Sequence, residues 1–166
     1  MEICALKIFD LISSVDENQD EVCEMLRDEN EKMSLKELQV MVNFQRPVSS
    51  GAETMLMWAV WRLKARVVEK LLEYGADPTF MNEMGNGVST YWETNLVSKN
   101  QDVASEIAKM LHDADADLLC SRGFSMSIVQ KAQEYGLTKL QEAIEKLDPL
   151  YASYRYSDLN DPDENN

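Results

Sequence analysis

The sequence is poor in the side chains that most often build metal and redox centres. It holds one histidine, His112, and three widely spaced cysteines, Cys4, Cys23 and Cys120. A single imidazole excludes a multi-histidine metal site. The odd cysteine number and the lack of any C-x-x-C pair exclude a zinc ribbon and a redox dithiol, and reduced thiols in a reducing compartment are expected. No run of 18 apolar residues occurs, so no segment reads as a membrane span. The first residues lack the basic region and long apolar stretch of a secretory signal. An intracellular, cytoplasmic chain is the expectation. Basic residues are also scarce: 16 Lys and Arg stand against 30 Asp and Glu, a net charge of -14. Such a surface repels phosphate backbones, which excludes broad nucleic-acid binding. It attracts and steers a basic protein partner.

What is present is ordinary globular material. The 166 residues are 45% hydrophobic and 28% charged, a composition and length that fit about one domain. A chain of this size buries about 70% of the surface that its unfolded form exposes, so disulfide staples are not required. The charge is uneven. Residues 1–50 carry 11 acids and 5 bases, residues 51–147 carry 14 and 10, and residues 148–166 carry 5 and 1. The last stretch contains tyrosines but ends almost free of apolar residues, and it reads as a largely disordered acidic tail.

Periodicity points to helix throughout, an all-α chain. Apolar residues recur at helical spacing over Ile3, Leu6, Ile8, Phe9, Leu11 and Ile12, and again over Val22, Met25 and Leu26. Residues 34–43 read as a further helix. Helical stretches follow at 54–63, 65–73, 88–97, 102–111, 126–134 and 138–147. Turn signals separate them at Asp16-Glu17-Asn18, at Pro47 through Gly51, and at Gly75, Gly85-Asn86-Gly87, Gly123 and Gly136. No alternating strand pattern of useful length occurs.

Internal repetition decides between a bundle and stacked helix pairs. Thr54, Leu56, Ala59, Val67, Val68, Leu71, Leu72, Gly75, Ala76 and Asp77 fall, without a gap, on a pattern T-P-L-H-x-A, a turn, then V-V-x-x-L-L-x-x-G-A-D. This segment resembles an ankyrin repeat. Met55 and Met57 stand for the family's Pro and His, and Leu63 for its turn glycine. A second copy starts at Gly87 and runs through Thr94 to Asp115-Ala116-Asp117, with Asp115 in place of the glycine. A third begins at Ser127 and includes Ala132, Gly136 and residues 140–147. Ala59, Thr94 and Ala132 lie 35 and 38 residues apart, against about 33 in the family. The resemblance implies a short solenoid of stacked antiparallel helix pairs. About three repeats occupy 51–147, behind a divergent helical cap or degenerate repeat over 1–50. Within a repeat, Thr54 is placed to cap the first helix. Ala59 is small where paired helices approach, and Gly75 ends the second helix in the left-handed region.

The motif census speaks against catalysis. Asp16-x-Asn18-x-Asp20 begins like a calcium loop, but Glu21 and Arg27 stand where glycine and a bidentate Glu are required. Asp113-x-Asp115-x-Asp117 fails in the same way at Leu118 and Phe124. No G-x-S-x-G, Walker loop or H-E-x-x-H occurs. No enzyme activity, metal or cofactor is expected.

Surface recognition remains. The resemblance implies that a partner binds the concave side, at the turn tips and the exposed positions of each first helix. Transferred residue by residue, that points to Glu53, Trp61 and Arg62, the last two of types enriched at binding hot spots. Trp58, Tyr91 and Trp92 are assigned to structure. The tip at 80–87 is unusually apolar, and Phe80, Met81 and Met84 add a second candidate surface. Arg62, Lys64, Arg66 and Lys70 form a basic cluster, read as a solvated helix face. The expected function is non-catalytic protein binding, as an adaptor or host-directed binding protein. The alternative is an intracellular inhibitor or immunity-type protein that masks a basic enzyme or a transcription factor.

Overall fold

A computed structural model describes residues 2–48, 51–120 and 125–153. Among them are α1 (Glu2–Ser13), α2 (Gln19–Lys32), α3 (Leu35–Val42), β1 (Gln45–Val48), β2 (Gly51–Thr54), α4 (Met55–Trp61) and α5 (Ala65–Glu73). The order continues with α6 (Thr94–Lys99), α7 (Gln101–Asp113), α8 (Ile128–Glu134), α9 (Thr138–Leu147) and α10 (Pro149–Ser153). Most of the described chain is therefore helical. None of these helices is long and apolar enough to cross a membrane.

Helices form where the apolar spacing places one stripe inward. In α5 that stripe is Val67, Val68 and Leu71, all buried; in α9 it is Leu140 and Ile144. Consecutive helices pack as pairs: α1 on α2, α4 on α5, α6 on α7 and α8 on α9. The second members continue into one row, α2 against α5, α5 against α7 and α7 against α9, while α1 packs on α4. One core cluster runs through the pairs, with Phe9, Leu56, Ala59, Leu71, Trp92, Ile107 and Ile144 at 1% exposure or less.

The helix ends repeat a single device. At Leu63, Gly75, Asp115 and Gly136 the backbone enters the left-handed region, with φ of 52°, 86°, 64° and 61°. Each time the next residue's N–H reaches five residues back: Lys64 to Ala59, Ala76 to Leu71, Ala116 to Leu111 and Leu137 to Ala132, all at 2.8–2.9 Å. The left-handed residue itself donates three residues back, which completes the Schellman arrangement. Glycine adopts this geometry cheaply, but Leu63 and Asp115 adopt it against the steric preference of an L side chain. The N-termini repeat too. The Thr54 hydroxyl accepts from the Met57 N–H at 3.3 Å, as the sequence predicted, and the Ser127 hydroxyl accepts from the Gln130 N–H at 3.3 Å.

These turns give a direct test of backbone strain. A Cβ added at Gly136 meets nothing within 4 Å, so Gly136→Ala isolates the cost of the left-handed conformation. A loss of about 1 kcal/mol is expected. Asp115→Gly relieves the same strain at an exposed site, and its melting temperature should rise by about 1–2 °C. Thermal melts of the two variants check both signs, and an unstrained turn would reverse them, because alanine lowers and glycine raises the entropy of the unfolded chain.

Three expectations need correction. A strand was not read anywhere, yet β1 and β2 pair antiparallel, with Gln45 opposite Thr54 and Val48 opposite Gly51. Each strand has only four residues, too few for alternation to register, and Gly51 carries a φ of 99°. The helix expected at 88–97 begins only at Thr94. The backbone of 89–92 is bonded elsewhere: the Ser89 carbonyl accepts from the Ile128 N–H at 2.6 Å, and the Lys131 ammonium donates to the carbonyls of Thr90 and Trp92 at 3.2 and 2.6 Å. The Glu93 carboxylate then caps α6 through the N–H groups of Asn95 and Leu96. Finally, the tail read as largely disordered over 148–166 starts with a short helix, α10, which packs on α9 and buries Tyr151. Residues 154–166 lie outside the described residues, as do Gly123 and Phe124.

Candidate functional site

The irregular course of 86–92 leaves a cleft beside α4. It encloses roughly 260 Å³ and is lined by Glu53, Trp58, Trp61, Asn86, Thr90 and Tyr91, with Ser125 at its rim. Each element contributes for a local reason. β2 delivers Glu53 immediately before the Thr54 cap that starts α4. Trp58 and Trp61 are three residues apart on α4 and so share a face. The non-helical segment brings Tyr91 over from the opposite side.

Glu53 anchors the arrangement. It is 7% exposed. Its Oε2 accepts from the Trp58 indole N–H at 2.7 Å, and its Oε1 accepts from the Tyr91 hydroxyl. The rings of Trp61 and Tyr91 meet edge to face, with centroids 6.1 Å apart and planes at 66°, a favoured aromatic geometry. Trp58 is buttressed from behind by Phe9 at 6.4 Å. The side-chain oxygen of Asn86 is buried and has no hydrogen-bond partner among the described residues. The result is a cavity with aromatic walls and acceptor oxygens.

The six sequence-predicted site residues do not come together. Glu53 and Trp61 line this cleft. Arg62 does not: its Nε–H donates to the Ser13 carbonyl at 2.8 Å, and its guanidinium lies 5.6 Å from the Trp58 ring centre. It faces the end of α1 and borders a different hollow, next to Leu63 and Lys64. Phe80 and Met81 line a third hollow of roughly 240 Å³ with Asp115 and Cys120, where the Met81 and Cys120 sulfurs are 3.6 Å apart. Met84 is 53% exposed on the tip. That tip is held by Asn82, whose Oδ1 accepts from the N–H groups of Met84 and Asn86 at 3.0 Å each.

The basic cluster of α4 and α5 is likewise not a simple solvated face. Lys64 is 5% exposed, and its ammonium donates to the Leu11 carbonyl at 3.1 Å and to Asn18 Oδ1 at 2.6 Å. With Arg62 it satisfies carbonyls at the C-terminal end of α1, where a cation also complements the helix dipole. Arg66 pairs with Asp20 of α2 and Lys70 with Glu73. Arg62, Lys64 and Arg66 thus tie the more acidic first 50 residues to the rest. Burial pulls the Lys64 ammonium below the usual lysine range, and the neighbouring Arg62 charge acts in the same direction. Burial raises the Cys4 and Cys23 thiols above theirs, so both are poor nucleophiles at neutral pH. Among the described residues no group of three or more His, Cys, Asp or Glu side chains converges as a metal site requires.

Sequence reasoning missed Trp58, Asn86, Thr90 and Tyr91 as site residues. The i, i+3 spacing of Trp58 and Trp61 is a signal that could have paired them. Nothing local links Tyr91 to Glu53, 38 residues away. No known family model matches the chain, and a search of curated proteins gives no match.

Proposed function

We propose that the protein is a non-catalytic interaction module, an ankyrin-like stack of helix pairs that binds another protein through the Glu53–Trp61–Tyr91 cleft. The cleft carries the reading. It presents two half-buried aromatic side chains beside a fixed carboxylate, the composition of a binding hot spot. The solenoid part is supported by the Schellman turns at Leu63 and Asp115, the two positions at which the resemblance calls for glycine. Residues 51–147 then form about three ankyrin-like repeats. The extra length of the second goes into the irregular segment that shapes the cleft, and α1, α2 and α3 cap the first. The net charge of -14 favours a basic partner. It also supports a second form of the same activity, an inhibitor that masks a basic enzyme or transcription factor. We place the protein inside the cell, in keeping with three free cysteines.

Trp61→Ala is expected to weaken partner binding by about 1–3 kcal/mol while the circular dichroism melt stays close to wild type. Affinity capture from the source cell, followed by titration of the captured partner against both proteins, measures it. Equal affinity would move the interface to another face, with the hollow at Phe80 and Met81 next in line.

A further inference from the structure

We propose that Lys64 is an amine nucleophile that captures a small neutral carbonyl compound as a covalent imine, in the hollow between the end of α1 and the turn from α4 into α5. This site lies apart from the Glu53–Trp61–Tyr91 cleft, and the inference does not depend on the interaction role above. Three observations carry it. First, Lys64 alone among the lysines of the described residues is buried, and it lines a hollow of roughly 150 Å³. A desolvated amine with space beside it is what a covalent lysine requires. Second, its nitrogen is held at two points, by the Leu11 carbonyl at 3.1 Å and by Asn18 Oδ1 at 2.6 Å, and it enters no ion pair among the described residues. An ammonium has three N–H donors. The neutral amine keeps two, enough for both acceptors, and its lone pair is then available to attack. Third, Arg62 lines the same hollow. A lysine is activated as a nucleophile by desolvation or by a neighbouring cation. Both act here, burial first and Arg62 second, against the weaker opposing pull of Glu17 and Asp16.

The lining defines the compound. Val15, Leu63 and Leu96 supply apolar surface, and the carboxylates of Asp16 and Glu17 repel anions. The volume is well below the approximately 300–1,000 Å³ of small-molecule sites, which leaves room for a short chain only. A neutral aldehyde of a few carbons fits. The Lys64 lone pair forms the C–N bond while the carbonyl π pair moves to oxygen, which takes up the proton released by nitrogen. The resulting carbinolamine loses water and becomes the imine. Arg62 offers positive charge to the oxygen as it becomes negative.

The test treats the intact protein with propanal and cyanoborohydride, which reduces the imine to a stable secondary amine, and follows each lysine by peptide mass spectrometry. At neutral pH Lys64 should be labelled at least about fivefold faster than the exposed Lys36 and Lys99. Its rate should saturate with propanal concentration and level off at a lower pH than theirs, because burial makes it hold its proton less tightly. Urea should abolish the advantage. Lys131 is the internal control. Two carbonyls hold its ammonium and burial acts on it too, but it lies outside this hollow, so it should stay slow. Labelling of Lys64 no faster than that of Lys36 and Lys99, or an advantage shared equally by Lys131 or retained in urea, overturns the proposal. The interaction role is read separately, by Trp61→Ala against the captured partner, so either idea can fail without the other.

Discussion

Replacing Trp92 by alanine is expected to remove about 3–5 kcal/mol of folding free energy. Trp92 is among the largest fully buried side chains, at 0% exposure in the core cluster. It terminates the segment that failed to become helix, so its ring fixes where that segment sits. A loss of this size is a large share of the approximately 5–15 kcal/mol that holds a domain together. The indole N–H, however, has no acceptor among the described residues, and a buried unpaired donor is itself unfavourable. Trp92→Phe keeps an aromatic filler and removes that donor, so its loss should be about 1–2 kcal/mol. Urea unfolding followed by circular dichroism gives both values. Similar losses for the two variants would mean that ring volume is not what Trp92 supplies.

The second large effect is expected at Lys131. Its ammonium reaches from α8 to the carbonyls of Thr90 and Trp92, which flank Tyr91. Lys131→Met keeps most of the apolar stem and leaves both carbonyls without this donor, at a cost of about 2–3 kcal/mol. Because Tyr91 loses its backbone support, partner affinity should fall along with stability, although Lys131 does not line the cleft. Burial holds the Lys131 ammonium below the usual lysine range, and the Glu93 charge opposes it only in part. The folded chain therefore binds that proton less tightly than the unfolded chain does. The penalty on folding is full below the folded pKa and fades as pH rises towards the unfolded value near 10.4. The stability gap between wild type and Lys131→Met should accordingly widen with rising pH in that window and stay level well below it. Denaturant melts over a pH series read the gap directly, and a gap that narrows there would assign the lysine the wrong environment.

The sequence carried the paired helices because their signals are local. Val67, Val68 and Leu71 mark the inner stripe of α5, Thr54 and Ser127 mark N-termini, and Gly75 and Gly136 mark C-terminal turns. Leu63 and Asp115 were placed at turn positions through the register alone, and both have positive φ. Illegible features depend on partners far along the chain. Residues 88–97 read as helix, but Val88, Ser89, Thr90, Tyr91 and Trp92 are weak helix formers, and the carbonyls of Ser89, Thr90 and Trp92 are taken by Ile128 and Lys131, about 40 positions on. Arg62 was assigned to a partner surface because the carbonyl that claims it, Ser13, lies 49 residues back. The cleft was half visible: Glu53 and Trp61 came from the register of one repeat, whereas Tyr91 reaches Glu53 only through the irregular segment.

Site-specific photo-crosslinking inside the source cell tests the account at its centre. A benzophenone side chain is placed at Ser125, on the rim of the cleft, and as a control at Val40 on α3, which is 58% exposed. The expected result is one discrete protein adduct from position 125, lost in the Glu53→Gln background and absent from position 40. An adduct that forms equally from both positions, or that survives Glu53→Gln unchanged, would contradict the cleft as the binding site.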